Sequence, residues 1–158
     1  LNVTKQSLNR VLKDLIKHEH YMKKALDEAK NALDKGEVPV GAIVVIDNKI
    51  IARAHNLTQT LNDTTAHAEM LAITSASNFL NGKYLNGCSL YVTLEPCAMC
   101  AGALYWSKID QLIFGALDTN KGYSKYGDLL HPRTTVISGL CQNESSSLIK
   151  GFFKKKRK

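Results

Sequence analysis

His67-Ala68-Glu69 and Pro96-Cys97-Ala98-Met99-Cys100 are the two segments whose residue types and spacing can do chemistry. One imidazole nitrogen and two thiolates are three good ligands for zinc. Cys97 and Cys100 stand three residues apart, so on a helix they share one face and can share one ion. Each segment is expected at the start of a helix. A helix N-terminus favours negative charge and lowers thiol pKa toward the thiolate that zinc needs. A structural zinc site closes with a fourth protein ligand. Cys88, Cys141, His55 and His131 are present, but none stands at a motif spacing from the three. Three protein ligands with an open position match a zinc that activates water. Glu69 lies about 200° around an ideal helix from His67, so both are not expected to chelate one ion. Glu69 is better placed to carry the proton of the water. The competing readings are a structural site or a chance pair of thiols for the triad, and an acid that only complements the helix dipole for Glu69.

The elements that must position these residues follow from periodicity. Leu8, Val11, Leu12, Leu15 and Ile16 predict a short amphipathic lead-in helix within residues 4–17. Met22, Ala25, Leu26, Ala29 and Leu33 predict a second over 21–33, stopping near Gly36. Residues 40–47 are almost purely apolar and β-branched and read as a buried strand. Asp47-Asn48 is a tight turn, and 49–55 is the returning strand of a hairpin. A loop rich in Asn and Thr covers 56–65. A helix over 66–79, a strand over 89–94 and a helix opened by Pro96 and running to about Ser107 follow. Strands at 109–114 and 134–138 and a last helix at 145–153 complete the order. An initial hairpin followed by alternating strands and helices argues for an α/β fold, a mixed five-stranded sheet with helices on both faces. No repeat, low-complexity linker or second domain is visible. The chain reads as an N-terminal extension at 1–19, a single domain at 20–158, and a basic tail at 154–158.

The joint pattern of His-x-Glu after a loop and Pro-Cys-x-x-Cys after a strand is the signature of zinc nucleobase deaminases. From about Tyr21 onward the chain resembles the bacterial tRNA-specific adenosine deaminases. The resemblance rests on residues 36–42 (GEVPVGA), 66–69 (AHAE), 90–103 (LYVTLEPCAMCAGA), 114–118 (FGALD) with Gly122, and Phe152-Phe153 before basic residues. It implies the three-layer cytidine-deaminase-like fold and one zinc per subunit on His67, Cys97 and Cys100, with Glu69 as the proton shuttle. It also implies that Asn56 contacts the target base, and that Asp118 and the Phe152/Phe153 helix help hold a tRNA anticodon loop. A homodimer whose RNA site uses both subunits is implied as well, with no DNA partner. The activity implied is hydrolytic deamination of adenosine to inosine at the wobble position. Without the resemblance, Asn56 reads as an Asx-turn residue, Asp118 as a loop acid or cap, and the two phenylalanines as a core stripe. Trp106 is similar to a residue of guanine deaminases, which share the zinc motifs. The alternatives are a free-base or nucleoside deaminase of guanine or cytosine type, which would use the same triad, and a non-catalytic zinc-containing RNA-binding subunit.

The chain has 158 residues, 44% hydrophobic and 22% charged, enough for a core without disulfides and short of any membrane-spanning run. Its 21 basic and 14 acidic side chains give +7. Residues 1–35 carry 8 basic and 5 acidic groups, residues 36–153 carry 8 and 9, and 154–158 are all basic. The surplus sits at the ends, which argues against a nucleic-acid surface spread over the whole protein. Lys5, Arg10, Lys13 and Asp14 interrupt any secretory apolar segment, so a cytoplasmic chain with reduced thiols is expected. Cys88 and Cys141 read as small buried hydrophobes. The tail reads as a solvated end, as a localisation-like basic run, or as a phosphate contact, and the resemblance of the neighbouring helix to an RNA-contacting one favours the last.

Overall fold

The apolar run Gly41–Ile46 (β1) and the half-exposed strand Lys49–His55 (β2) form the hairpin, and Asp47 and Asn48 between them both take positive φ, as a type I′ turn demands. The computed structural model describes residues 3–157, so Leu1 and Asn2 of the expected extension and Lys158 of the tail lie outside it. Three further strands, Ser89–Leu94 (β3), Gln111–Ala116 (β4) and Thr135–Ser138 (β5), complete one sheet in the order β2-β1-β3-β4-β5. β1 runs antiparallel to both neighbours, and β3, β4 and β5 are parallel. The mixed five-stranded sheet is the expected one.

Side-chain alternation explains why the strands read as unbroken apolar runs. Ala42, Val44, Leu90, Val92, Leu112 and Phe114 face helices Ala68–Leu80 (α2) and Ala98–Ser107 (α3). Ile43, Val45, Tyr91 and Ile113 face helix Lys5–Asp34 (α1), and helix Gln142–Lys156 (α4) packs on the same side. Both faces are covered, so both registers of each central strand are apolar. α1 lies so close on β1 that a Cβ at Gly41 would overlap the backbone of Ala25 and Ala29.

Three expectations change. The two helices expected over 4–17 and 21–33 are one helix, because nothing between them breaks it. The polar residues at 17–20 are acceptable helix formers, and His18 is held by a 2.7 Å hydrogen bond between its Nδ1 and the Tyr91 hydroxyl. Pro96 does not open α3. Cys97 is the N-cap and Pro96 precedes it, its backbone carbonyl accepting from Tyr123. The last helix is longer than 145–153 and takes in Lys154, Lys155 and Lys156, whose charges complement its C-terminal dipole.

Candidate active site

The parallel strands β3 and β4 end side by side at Leu94 and Ala116, the pole of an α/β sheet where ligands bind. A cavity of about 670 Å³ opens there, and His67, Glu69 and Cys97 form part of its wall. His67 is the N-cap of α2, Cys97 the N-cap of α3, and Cys100 sits in the first turn of α3. Two helix N-termini therefore converge on one point and favour negative charge there.

The three ligand atoms lie within 4.8 Å of one another, and among the described residues this is the group of its kind. His67 Nδ1 stands 3.6 Å from Cys97 Sγ and 3.5 Å from Cys100 Sγ. Metal bonds of about 2.3 Å to sulfur and about 2.0 Å to nitrogen at a tetrahedral angle require edges of about 3.6 Å. The donor set and its spacing thus fit a tetrahedral metal. Hydrogen bonds from Cys100 and His67 pull the Cys97 thiol down to about 4, and the bond to Cys97 together with burial drives Cys100 upward. The bond to Cys97 raises the imidazole of His67. The other sulfurs and imidazoles named from sequence lie elsewhere. Cys88 is buried in the α2/α3 core, and its thiol is pushed up to about 11 by burial. Cys141 caps α4 on the opposite face, His55 bonds Glu28, and His131 packs on Tyr105.

Glu69 is 4% exposed, and its burial pushes the carboxyl above its usual range, against the lowering effect of its own backbone N–H and the Cys100 thiol. Asn56 follows β2, where its N–H donates to the Val40 carbonyl, and it lines the cavity. Its side-chain Oδ1 is buried with no protein partner. Asp118 also lines the cavity, but its Oδ1 accepts from the N–H groups of Asn120 and Lys121 and so shapes its own loop. The α4 pair divides. Phe152 is buried at 7% exposure, whereas Phe153 is 44% exposed and lines the cavity. The resemblance leaves open which of the two faces outward, and the packing of α4 exposes Phe153.

Several residues here gain a role that the sequence reading does not give them. Glu37 is fully buried and accepts from the N–H groups of Gln59 and Thr60, fixing the loop after Asn56. Glu95 accepts from Asp118 and Ser124, fixing the loop after β4. A Cβ at Gly122 would overlap the Glu95 carboxylate, so that loop needs glycine there. The available signal was a lone acid inside each otherwise apolar segment, GEVPVGA and YVTLEPC. Lys121, Lys150 and Arg157 on the cavity wall carry only their charge as a signal. Trp106 is 76% exposed and is not part of the cavity wall.

A sheet-and-helix sandwich that brings His, Cys, Cys and a buried Glu to the strand ends defines a metal-dependent deaminase class of site. Residues 16–157 match the MafB19-like deaminase family. The tRNA-specific adenosine deaminase of Aquifex aeolicus is 51% identical over 88% of this chain and 95% of its own. A solved structure from work on A-to-I editing by tRNA:A34 deaminases at the wobble position is 42% identical, with a TM-score of 0.76 over 82% of this chain and 98% of the other. A guanine deaminase from Bacillus subtilis is 38% identical over 70% of this chain and 69% of its own, with a TM-score of 0.62. This chain belongs to the tRNA-specific adenosine deaminase family.

Proposed function

We propose that the protein hydrolyses adenosine to inosine, releasing ammonia, at the wobble position of a tRNA anticodon. The observation that carries this reading is one cavity whose wall joins His67, Glu69 and Cys97 to a basic and aromatic rim of Lys121, Lys150, Phe153 and Arg157. A zinc ion on the three ligands supplies, when bound, the activation of a water nucleophile near neutral pH. Glu69 takes a proton from the attacking water, delivers it to the ring nitrogen, and assists departure of the amine as ammonia. Its burial suits a carboxyl that must hold a proton between these transfers. The unpartnered Asn56 Oδ1 offers the target base a polar contact. Phe153 offers a stacking face to a flanking base, and Lys121, Lys150 and Arg157 face phosphates. Asp118 acts by holding the loop that carries Lys121.

An anticodon loop is already partly single-stranded, so its target base leaves the stack at lower cost than from a duplex. The reading places the protein in the cytoplasm with its tRNA. It takes the working form to be a homodimer, supported by the exposed Phe79, Tyr105 and Trp106 on α2 and α3. A free-base deaminase needs the floor and has no use for the basic rim. The test offers an anticodon stem-loop with adenosine at the wobble position beside free guanine and free cytosine. Inosine in the RNA with neither base turned over is expected. Guanine or cytosine turnover without inosine overturns the reading.

A further inference from the structure

α1 spans the sheet from one pole to the other. Its last turns lie over Gly41 at the cavity pole, and Tyr21 reaches the hairpin turn at the far pole, where its hydroxyl donates to the Asn48 carbonyl. Residues 5–17 continue from there, and every one of them is exposed. Leu8, Val11, Leu12, Leu15 and Ile16 are each about half exposed or more. With 3.6 residues per turn, these five share one stripe about 140° wide. A helical segment of this length is marginal in water by itself, so a stripe of five large apolar side chains calls for a cover.

The charges within the stripe indicate what covers it. Lys5 and Glu19 lie 14 residues apart, within about 40° of each other around the helix and about 21 Å apart along it, at the two ends of the apolar run. Leu12 is the midpoint. An identical helix laid antiparallel with its two-fold axis at Leu12 sets each Lys5 against a Glu19, and Leu8 against the Leu15/Ile16 end. A parallel copy would set lysine against lysine and glutamate against glutamate. Glu19 already sits 3.2 Å from Lys23 with both side chains more than half exposed, so its carboxylate remains available. Arg10, Lys13 and Lys17 fall on the opposite side of the helix and stay in water. An anionic lipid surface would meet Glu19 inside the apolar stripe, which disfavours it.

We infer that residues 5–19 of α1 pair antiparallel with the same segment of a second copy of this chain, on a surface separate from α2, α3 and the cavity. Two such stripes remove roughly 500–1,000 Å² of apolar surface from water on the usual scale of burial per side chain. That is below the size of a standard interface, so the association is reversible and concentration-dependent. It leaves the cavity at the other pole open.

Sedimentation of the full chain across the micromolar range tests this, with Leu12→Glu, Lys5→Glu, Glu19→Lys and the double reversal Lys5→Glu/Glu19→Lys. The wild-type mass is expected to double with concentration beyond whatever assembly the body forms. Leu12→Glu should weaken that doubling at least about tenfold, each single reversal should weaken it about threefold or more, and the double reversal should restore it to within about twofold. The reversed residues are exposed, and unchanged circular dichroism shows the fold is kept. No doubling in the wild type, or a double reversal no better than the singles, overturns the inference. A wild type that never doubles but sediments with anionic phospholipid vesicles overturns it in favour of a lipid surface.

Discussion

The floor and the rim of the cavity are built by different rules. The floor is set by helix starts: His67 and Cys97 are half-buried N-caps, Cys100 is buried in the first turn of α3, and Glu69 is enclosed two residues after His67. The rim is exposed and set by loops and by the outer side of α4, where Lys121, Lys150, Phe153 and Arg157 stand. The floor needs atoms at the spacing that metal bond lengths fix, and its 3.5 and 3.6 Å His–Cys separations match that spacing. The rim needs charge and a flat apolar face in roughly the right place, because phosphates and bases tolerate variation in contact geometry. A deaminase of a free base needs the first; a deaminase of an RNA loop needs both.

That contrast predicts separable losses. The largest follows Cys97→Ala, which removes one of the three proposed metal ligands. Metal content measured by atomic absorption and inosine formation should disappear together, and activity with metal lost would break the assignment of the floor. Phe153→Ala comes next. Loss of one stacking face costs about 1–3 kcal/mol, so KM for the stem-loop should rise between about fivefold and a hundredfold at nearly constant kcat. Phe152→Ala should instead lower thermal stability, since that side chain is buried. Lys150→Ala and Arg157→Ala should each raise KM severalfold and reduce the slope of log affinity against log salt by about one, with metal content unchanged.

The smallest effect concerns the support behind the rim. Burial pushes the Glu37 carboxyl up, but the hydrogen bonds from Thr60 and Gln59 outweigh it, and the net shift is below the ordinary 4.5. A depressed carboxylate contributes stability that is full above its unfolded value and is lost as pH falls from about 4.5 through the native one. Glu37→Gln should therefore cost about 1–3 kcal/mol near neutral pH and converge with the wild type in acid. Chemical denaturation at several pH values reads this directly, and a constant difference down to low pH would contradict it.

The same division explains what was legible in the sequence. Cys97 and Cys100 announce themselves because metal chemistry restricts residue type and spacing together. The central strands β1, β3 and β4 are legible because burial on both faces leaves apolar runs. Phe152 and Phe153 were not separable, since adjacent residues on a helix differ only by rotation about its axis, and packing against the sheet decides that rotation. Glu37 and Glu95 were missed because a buried acid is explained only by the loop N–H groups it meets, which are 22 to 29 residues away in sequence. Within α1, the stripes before and after His20 have the same period, but one meets the sheet and the other passes beyond it. Periodicity reports which face is apolar and is silent on what covers it.

The central claim is that His67, Cys97 and Cys100 hold the metal while Glu69 moves the proton. Glu69→Gln, assayed on the wobble-adenosine stem-loop with zinc content measured on the same sample, tests it most directly. The account predicts full zinc content and inosine formation lowered about 10²- to 10⁴-fold. Zinc retained with activity unchanged would contradict it.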